Sequence, residues 1–251
     1  MRRLLPHPGH LPDYIPDDAA LAEAYRAPAG AFLRVNFVAS LDGVVAVEGR
    51  SGGLCSPGDR RVFRTLRALA DVVLVGHGTS SAEGYRPVAP DSPVGRLRAV
   101  LGRPVGLPVA VVSRRASLDP GDQLLQGPLL LVTCAAADPD RRAALAAAGA
   151  DVVVCGEDDV DLAAAREALA GRGLEQVVCE GGPQLFRAAL AAGVVDELDL
   201  SLAPALVGAG SRLLGEAALP ELAWFRPAQV LEEDGVLFTR YAVDPADARG
   251  S

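Results

Sequence analysis

The sequence predicts an α/β fold: a mixed, mainly parallel sheet with helices on both faces and a C-terminal β-hairpin. Three observations carry this. Short apolar runs such as "DVVLVG" (71–76), "PLLLVT" (128–133) and "DVVVCG" (151–156) lack the alternation of half-exposed strands, so they read as strands buried on both faces. Segments with helical spacing, "DPDRRAALAAAG" (138–149) and "DLAAAREALAGRG" (161–173), alternate with them. The tail "AWFRPAQVLEEDGVLFTRYAV" (223–243) breaks at "EEDG" into two strands around a glycine turn.

Taken in order, residues 1–31 are Pro-rich and weakly patterned; they read as an extension that packs on the body or stays mobile, before a main domain over 32–251. "FLRVNFVASLDG" (32–43) is the first strong strand, and "GVVAVEGRSGG" (43–53) is a short strand with a glycine-rich loop. "SPGDRRVFRTLRALA" (56–70) is a helix with Ser56 as N-cap and Pro57 at its first position. "TSSAEGY" (79–85) opens a brief helix at Thr79, a second helix is expected over 91–102, and "PVAVVS" (108–113) is a strand. "EQVVCE" (175–180) is a strand and "PQLFRAALAAG" (183–193) a helix, while "ELDLSLAPAL" (197–206) alternates and is expected to run in an altered direction.

Half of the 251 residues are hydrophobic, enough for a sizeable core. The net charge of −8 argues against non-specific nucleic-acid binding and against docking on anionic membranes. All 24 basic residues are arginine, which excludes Schiff-base and P-loop lysine chemistry. Cys55, Cys134, Cys155 and Cys179 lack metal-binding spacing, and three of them sit within or just after apolar runs and read as small hydrophobes, so neither a metal nor a disulfide framework is expected. No signal peptide and no spanning segment is evident, which points to the cytoplasm.

Two strand-to-helix turns are rich in glycine. "VVLVGHGTSS" (72–81) places Gly76 and Gly78 where backbone N–H groups can meet an anion, although alone it is equally a tight structural turn. "CEGGPQLF" (179–186) repeats the arrangement, and two such turns on one sheet edge suit a dinucleotide. Ser113 and Arg114, with Arg115, end another strand and suit a ribose 2′-phosphate or are simply a solvated surface pair. Ser40 and Asp42 lie in "SLDG", which on its own is a good turn. His77 reads as a loop residue, and His7 and His10 lie in the irregular extension.

In this order, "ASLDG" (39–43), "SPGDRRVFRTLRALADVVLVGHGT" (56–79), "VVSRRASLD" (111–119), "CEGGPQLFRAAL" (179–190) and "VDELDLSLAPALVGAG" (195–210) resemble the reductase domain of bacterial riboflavin biosynthesis, related in fold to dihydrofolate reductase. The resemblance covers about residues 32–243. It implies a homodimer that uses NADPH to reduce 5-amino-6-(5-phosphoribosylamino)uracil at the ribose C1′ carbon. It implies that Ala39, Gly53, Thr79, Glu83 and the turn Gly181, Gly182, Pro183, Gln184, Leu185 and Phe186 lie against the cofactor. Ser51, Arg67 and Glu180 would face substrate, with Arg67 on its 5′-phosphate. Asp42 and Glu180 are the candidate acids for the departing ring oxygen. The resemblance to dihydrofolate reductases also implies a cis peptide between Gly181 and Gly182. The chain departs from the family at Gly53, where an aromatic is common, and at "AEGYRP" (82–87), where "ADDP" is common. The usual deaminase partner domain is not expected in this chain. Reduction of another substrate such as dihydrofolate, or NADPH binding without catalysis, are the alternatives.

Overall fold

A computed structural model describes residues 1–6 and 14–243; His7 and His10 lie outside the described residues. The chain order is β1 (Arg2–Leu5), α1 (Asp18–Ala24), β2 (Phe32–Ser40), β3 (Val44–Ala46), α2 (Pro57–Leu69), β4 (Val72–Gly76), α3 (His77–Glu83), α4 (Pro93–Val100), β5 (Val109–Val112), β6 (Leu129–Thr133), α5 (Pro139–Ala147), β7 (Asp151–Val154), α6 (Leu162–Ala170), β8 (Gln176–Cys179), α7 (Pro183–Ala191), β9 (Glu197–Ala203), β10 (Ser211–Arg212), β11 (Phe225–Glu233) and β12 (Val236–Val243). Ten strands form one sheet in the order β1-β11-β12-β9-β2-β8-β4-β5-β6-β7. From β9 to β7 all pairings are parallel, and β12, β11 and β1 add antiparallel strands.

The runs that form β4, β5 and β6 are buried on both faces; the run at β7 is not, because β7 is the edge strand of the sheet and leaves Asp151 and Val154 exposed. Val73, Val75, Val109 and Val111 pack beneath α1, α2 and α5, while Val72, Leu74, Ala110 and Val132 pack beneath α6 and α7. Ser56 caps α2 by accepting the Asp59 N–H at 3.0 Å, with Pro57 at the first helical position. At its other end, the buried Arg98 guanidinium donates to the carbonyls of Arg67 and Ala70 at 3.1 and 2.6 Å. A cation there suits the helix dipole and fixes the end of α2 that carries Arg67. The cysteines are unpaired, and Cys134, Cys155 and Cys179 are buried.

Two expectations change, and a third, left open between packing and mobility, is decided for packing over the described residues. β9 does not turn away: it pairs parallel with β2 over Arg34–Ser40, and β12 supplies the antiparallel step. Its alternating pattern reflects polar Glu197, Asp199 and Ser201 buried on one face, not exposure. The N-terminal region holds a strand and a helix, because β1 pairs with β11 and Met1, Ile15, Leu21 and Tyr25 enter the core beside α2. Finally, α3 begins at His77 with Gly76 as N-cap, so Thr79 lies inside the helix and does not open it.

Candidate active site

Because β2, β4, β5, β8 and β9 run parallel, their carboxyl ends share one edge, and ligands gather beyond such edges. The two glycine turns are joined there. The Gly76 N–H donates to the Gly181 carbonyl at 2.8 Å, and the Glu180 N–H donates to the Leu74 carbonyl at 2.9 Å. The Gly181–Gly182 peptide is cis, as expected. Gly181 has φ +79, and a Cβ there would lie 2.6 Å from the Phe37 ring; one on Gly182 would lie 2.5 Å from Thr79 Oγ1. Only glycines let the turns approach this closely. α7 starts at Pro183 without a side-chain cap, which leaves its first-turn N–H groups for an anion or water.

A cleft of about 1460 Å³ opens along this edge. Gly76, Gly78, Thr79, Arg114, Gly182, Pro183, Gln184 and Leu185 line it, so eight of the residues chosen for the cofactor come together. His77, expected as a loop residue, is the first residue of α3 and lines it as well, as do Arg187 and residues 210–212, which the sequence did not single out. Other expected contacts sit elsewhere. The Phe186 ring is buried against Phe37, with ring centres 5.4 Å apart, and is a core residue. The Ala39 methyl is buried in the same apolar layer. Gly181 is buried beneath the turn, its carbonyl committed to Gly76. Ser113 Oγ accepts the Ser117 N–H at 2.9 Å and so shapes the loop carrying Arg114. Glu83 accepts the Ser51 N–H at 2.8 Å, and Gly53 abuts Val47 in the same loop.

On the face covered by α2, Arg67 grips Glu180 in a two-pronged pair: Nε to Oε1 at 2.7 Å and Nη2 to Oε2 at 2.6 Å. The side chains are 16% and 3% exposed respectively. The guanidinium lies between the rings of Phe63 and Tyr85, 4.3 and 5.0 Å from their centres, and the Tyr85 hydroxyl donates to Glu180 Oε2. Burial, then the Glu180 charge, push the Tyr85 phenol well above its ordinary range, so it remains a donor. Arg67 is therefore not a free cation awaiting a phosphate; its fork is committed to Glu180. Tyr85 escaped notice because its partners are distant in sequence; the aromatic in "AEGYRP" was the available signal.

Asp42 caps a turn and a loop at once. Its Oδ1 accepts the Ser40 hydroxyl at 2.6 Å and the Val207 N–H at 3.1 Å, and its Oδ2 accepts the Gly208 N–H at 2.7 Å. The Ser40 bond foremost, then the two N–H groups, push its carboxyl down to about 2. A group held so firmly as a carboxylate is poorly suited to donate a proton.

Residues 31–234 match the RibD C-terminal domain family. The chain belongs to this family. Among relatives of this RibD C-terminal domain, a protein of Methanothermobacter thermautotrophicus named 2,5-diamino-6-ribosylamino-4(3H)-pyrimidinone 5′-phosphate reductase is 32% identical over 70% of this chain and 79% of its own length. A protein of Archaeoglobus fulgidus with the same name is 28% identical over 70% of this chain and 82% of its own length. Among solved structures, a pyrimidine reductase-like protein of Corynebacterium diphtheriae superposes with a TM-score of 0.76 at 27% identity, covering 85% of this chain and 92% of that one.

This RibD C-terminal domain has a second cavity, of about 360 Å³, at the opposite, amino-terminal edge of the sheet, lined by Arg26, Arg34 and Arg103. Each of these arginines already faces a carboxylate: Glu23, Glu197 and Asp71 respectively. Among the described residues no helix is long and apolar enough to cross a membrane.

Proposed function

We propose that this protein is an NADPH-dependent reductase of a 6-ribosylamino-pyrimidine 5′-phosphate. The observation that carries the reading is the carboxyl edge itself, where two joined glycine turns lie beside a fixed glutamate in a chain whose relatives are named as such reductases. A dinucleotide is supported by the uncapped start of α7, which offers backbone N–H groups to the cleft, and by the close approach of the two glycine turns at Gly182 and Thr79. Gly76, Gly78, Thr79 and residues 182–185 would hold the pyrophosphate region, and Arg114 the 2′-phosphate. NADPH, when bound, supplies a hydride to the ribose C1′; the C1′ bond to the ring oxygen breaks and that oxygen takes one proton.

The chain's own residues orient the reactants. Glu180 faces substrate, with Arg67 on both of its oxygens and Tyr85 on one of them. That arrangement makes it a rigid acceptor for a substrate hydroxyl or ring N–H. Ser51, whose N–H donates to Glu83 at the end of α3, would reach substrate from the turn after β3 that also carries Gly53. A cytoplasmic homodimer completes the reading.

The relatives' names carry the 2,5-diaminopyrimidinone, which differs from the aminouracil in the substituent at ring position 2. NADPH oxidation assayed with each ribosylamino-pyrimidine phosphate and with dihydrofolate tests the proposal. Turnover of at least one ribosylamino substrate, and none of dihydrofolate, is expected. NADPH binding with no turnover of either ribosylamino substrate would refute the catalytic reading, and sedimentation checks the dimer.

A further inference from the structure

The segment that follows β9 lines the cleft at residues 210–212 and 215–217. It is fastened to the Asp42 turn by the Val207 and Gly208 N–H groups. It then pairs with β3 through β10, Ser211 opposite Ala46 and Arg212 opposite Val44. A Cβ on Gly210 would lie 2.7 Å from Val44 Cγ1 and 2.8 Å from the Ala46 carbonyl, so the segment lies hard against β3 with no slack. It also reaches the start of α7, where a Cβ on Gly215 would lie 3.8 Å from Pro183 Cβ.

Arg212 lies between these two anchors and lines the cleft. One of its nitrogens, Nη1, donates to the Asp42 carbonyl at 2.7 Å. Its guanidinium has no carboxylate partner among the described residues. An exposed cation with no ion-paired carboxylate, lining the same cleft as the uncapped start of α7, is suited to a phosphate-type anion, although Asp159 and Glu216 line that cleft too.

We propose that residues 204–215 form a strap whose Arg212 binds the pyrophosphate bridge of the dinucleotide, with Asp42 as the positioning residue that pins it. This rests on the reading of the cleft as a dinucleotide site. It gives Asp42 work that needs a permanent carboxylate: two backbone N–H groups of the strap converge on its oxygens, and its carbonyl aims the guanidinium. The α7 N–H groups and Arg212 then bracket the bridge between helix and strap.

Titration calorimetry of wild type, Arg212→Ala, Arg212→Lys, Asp42→Ala and the Arg212→Ala/Asp42→Ala double variant tests this. The ligands are NADPH, at two salt concentrations, and adenosine 2′-phosphate, which has no pyrophosphate bridge. Arg212→Ala is expected to weaken NADPH binding roughly tenfold or more, to flatten its salt dependence, and to leave adenosine 2′-phosphate unaffected. Arg212→Lys recovers part of the loss. Asp42→Ala weakens NADPH in the same direction, and the double variant adds little to Arg212→Ala because both act through one contact. Unchanged NADPH binding by Arg212→Ala, fully additive losses, or an equal loss of adenosine 2′-phosphate each overturn the proposal. If wild type fails to bind NADPH, the dinucleotide reading falls and this proposal with it; binding that ignores Arg212 overturns the strap alone.

Discussion

Replacing Glu180 by Gln tests the centre of the site, because the change keeps the shape and removes the charge. The Glu180 side chain is 3% exposed and faces an Arg67 side chain that is 16% exposed. Removing one partner of such a pair leaves a largely buried cation and costs about 3–5 kcal/mol. Gln keeps one acceptor, and the rings of Phe63 and Tyr85 still lie against the guanidinium, so the lower end, about 3 kcal/mol, is expected. For a chain of this size that corresponds to a fall in melting temperature of roughly 6–12 °C. Scanning calorimetry measures it, and NADPH titration and steady-state turnover are run on the same variant below its melting temperature. Turnover should fall far more than NADPH affinity, since the cleft proposed for NADPH does not include Glu180. Tyr85→Phe removes only one donor and should show the same pattern, smaller in both stability and turnover. An unchanged melting temperature would refute the charge accounting. Equal losses of NADPH affinity and turnover would refute the placement of Glu180 on the substrate side.

Three further outcomes follow from other sites. Gly181→Ala forces a side chain at φ +79 and against the Phe37 ring; strain and overlap together should cost about 2–4 kcal/mol. Adding Phe37→Leu should recover the overlap part, and a double variant no more stable than Gly181→Ala contradicts this account. Asp199 is buried between Glu197, Arg34 and Arg240, and burial foremost, then the Glu197 charge, push its carboxyl up from 3.8 to about 8. The folded state thus holds a proton that the unfolded chain releases, so this contribution to stability is present below about pH 4 and is lost as pH rises towards about 8. Asp199→Asn should flatten the fall in stability over that window, and superimposable pH profiles for variant and wild type would rule the effect out. Arg114, whose Nε donates to the Asp158 carbonyl at 2.9 Å beside the cleft, should set cofactor choice; Arg114→Ala with an unchanged preference for NADPH over NADH removes that role.

Local chemistry made much of this protein legible in its sequence. Unbroken apolar runs, the Ser56–Pro57 start of α2 and the Asp234–Gly235 turn specify their elements through short-range rules, and the structure places them within a residue or two of the expected positions. The two glycine turns were legible for the same reason, since a strand that ends in glycines before a helix announces a backbone left open to a ligand. Burial hid the polar side of the fold. β9 reads as half-exposed because Glu197, Asp199 and Ser201 are polar, yet all three are buried by neighbours from β2 and β12. The strand and helix near the N-terminus have little pattern of their own and exist because β11 and α2 offer them partners.

Sequence determined which residue types were available at the edge: glycines for close approach, a glutamate at the end of β8, arginines as the sole permanent cations. Tertiary structure decided what each one is for. Arg67 looks like a phosphate ligand until α2 lays it on Glu180, 113 positions away, and Asp42 looks like an acid until residues 207 and 208 bring their N–H groups to it. A side chain's chemistry is local, but its charge state and freedom are set by partners that only the folded chain brings within hydrogen-bond reach.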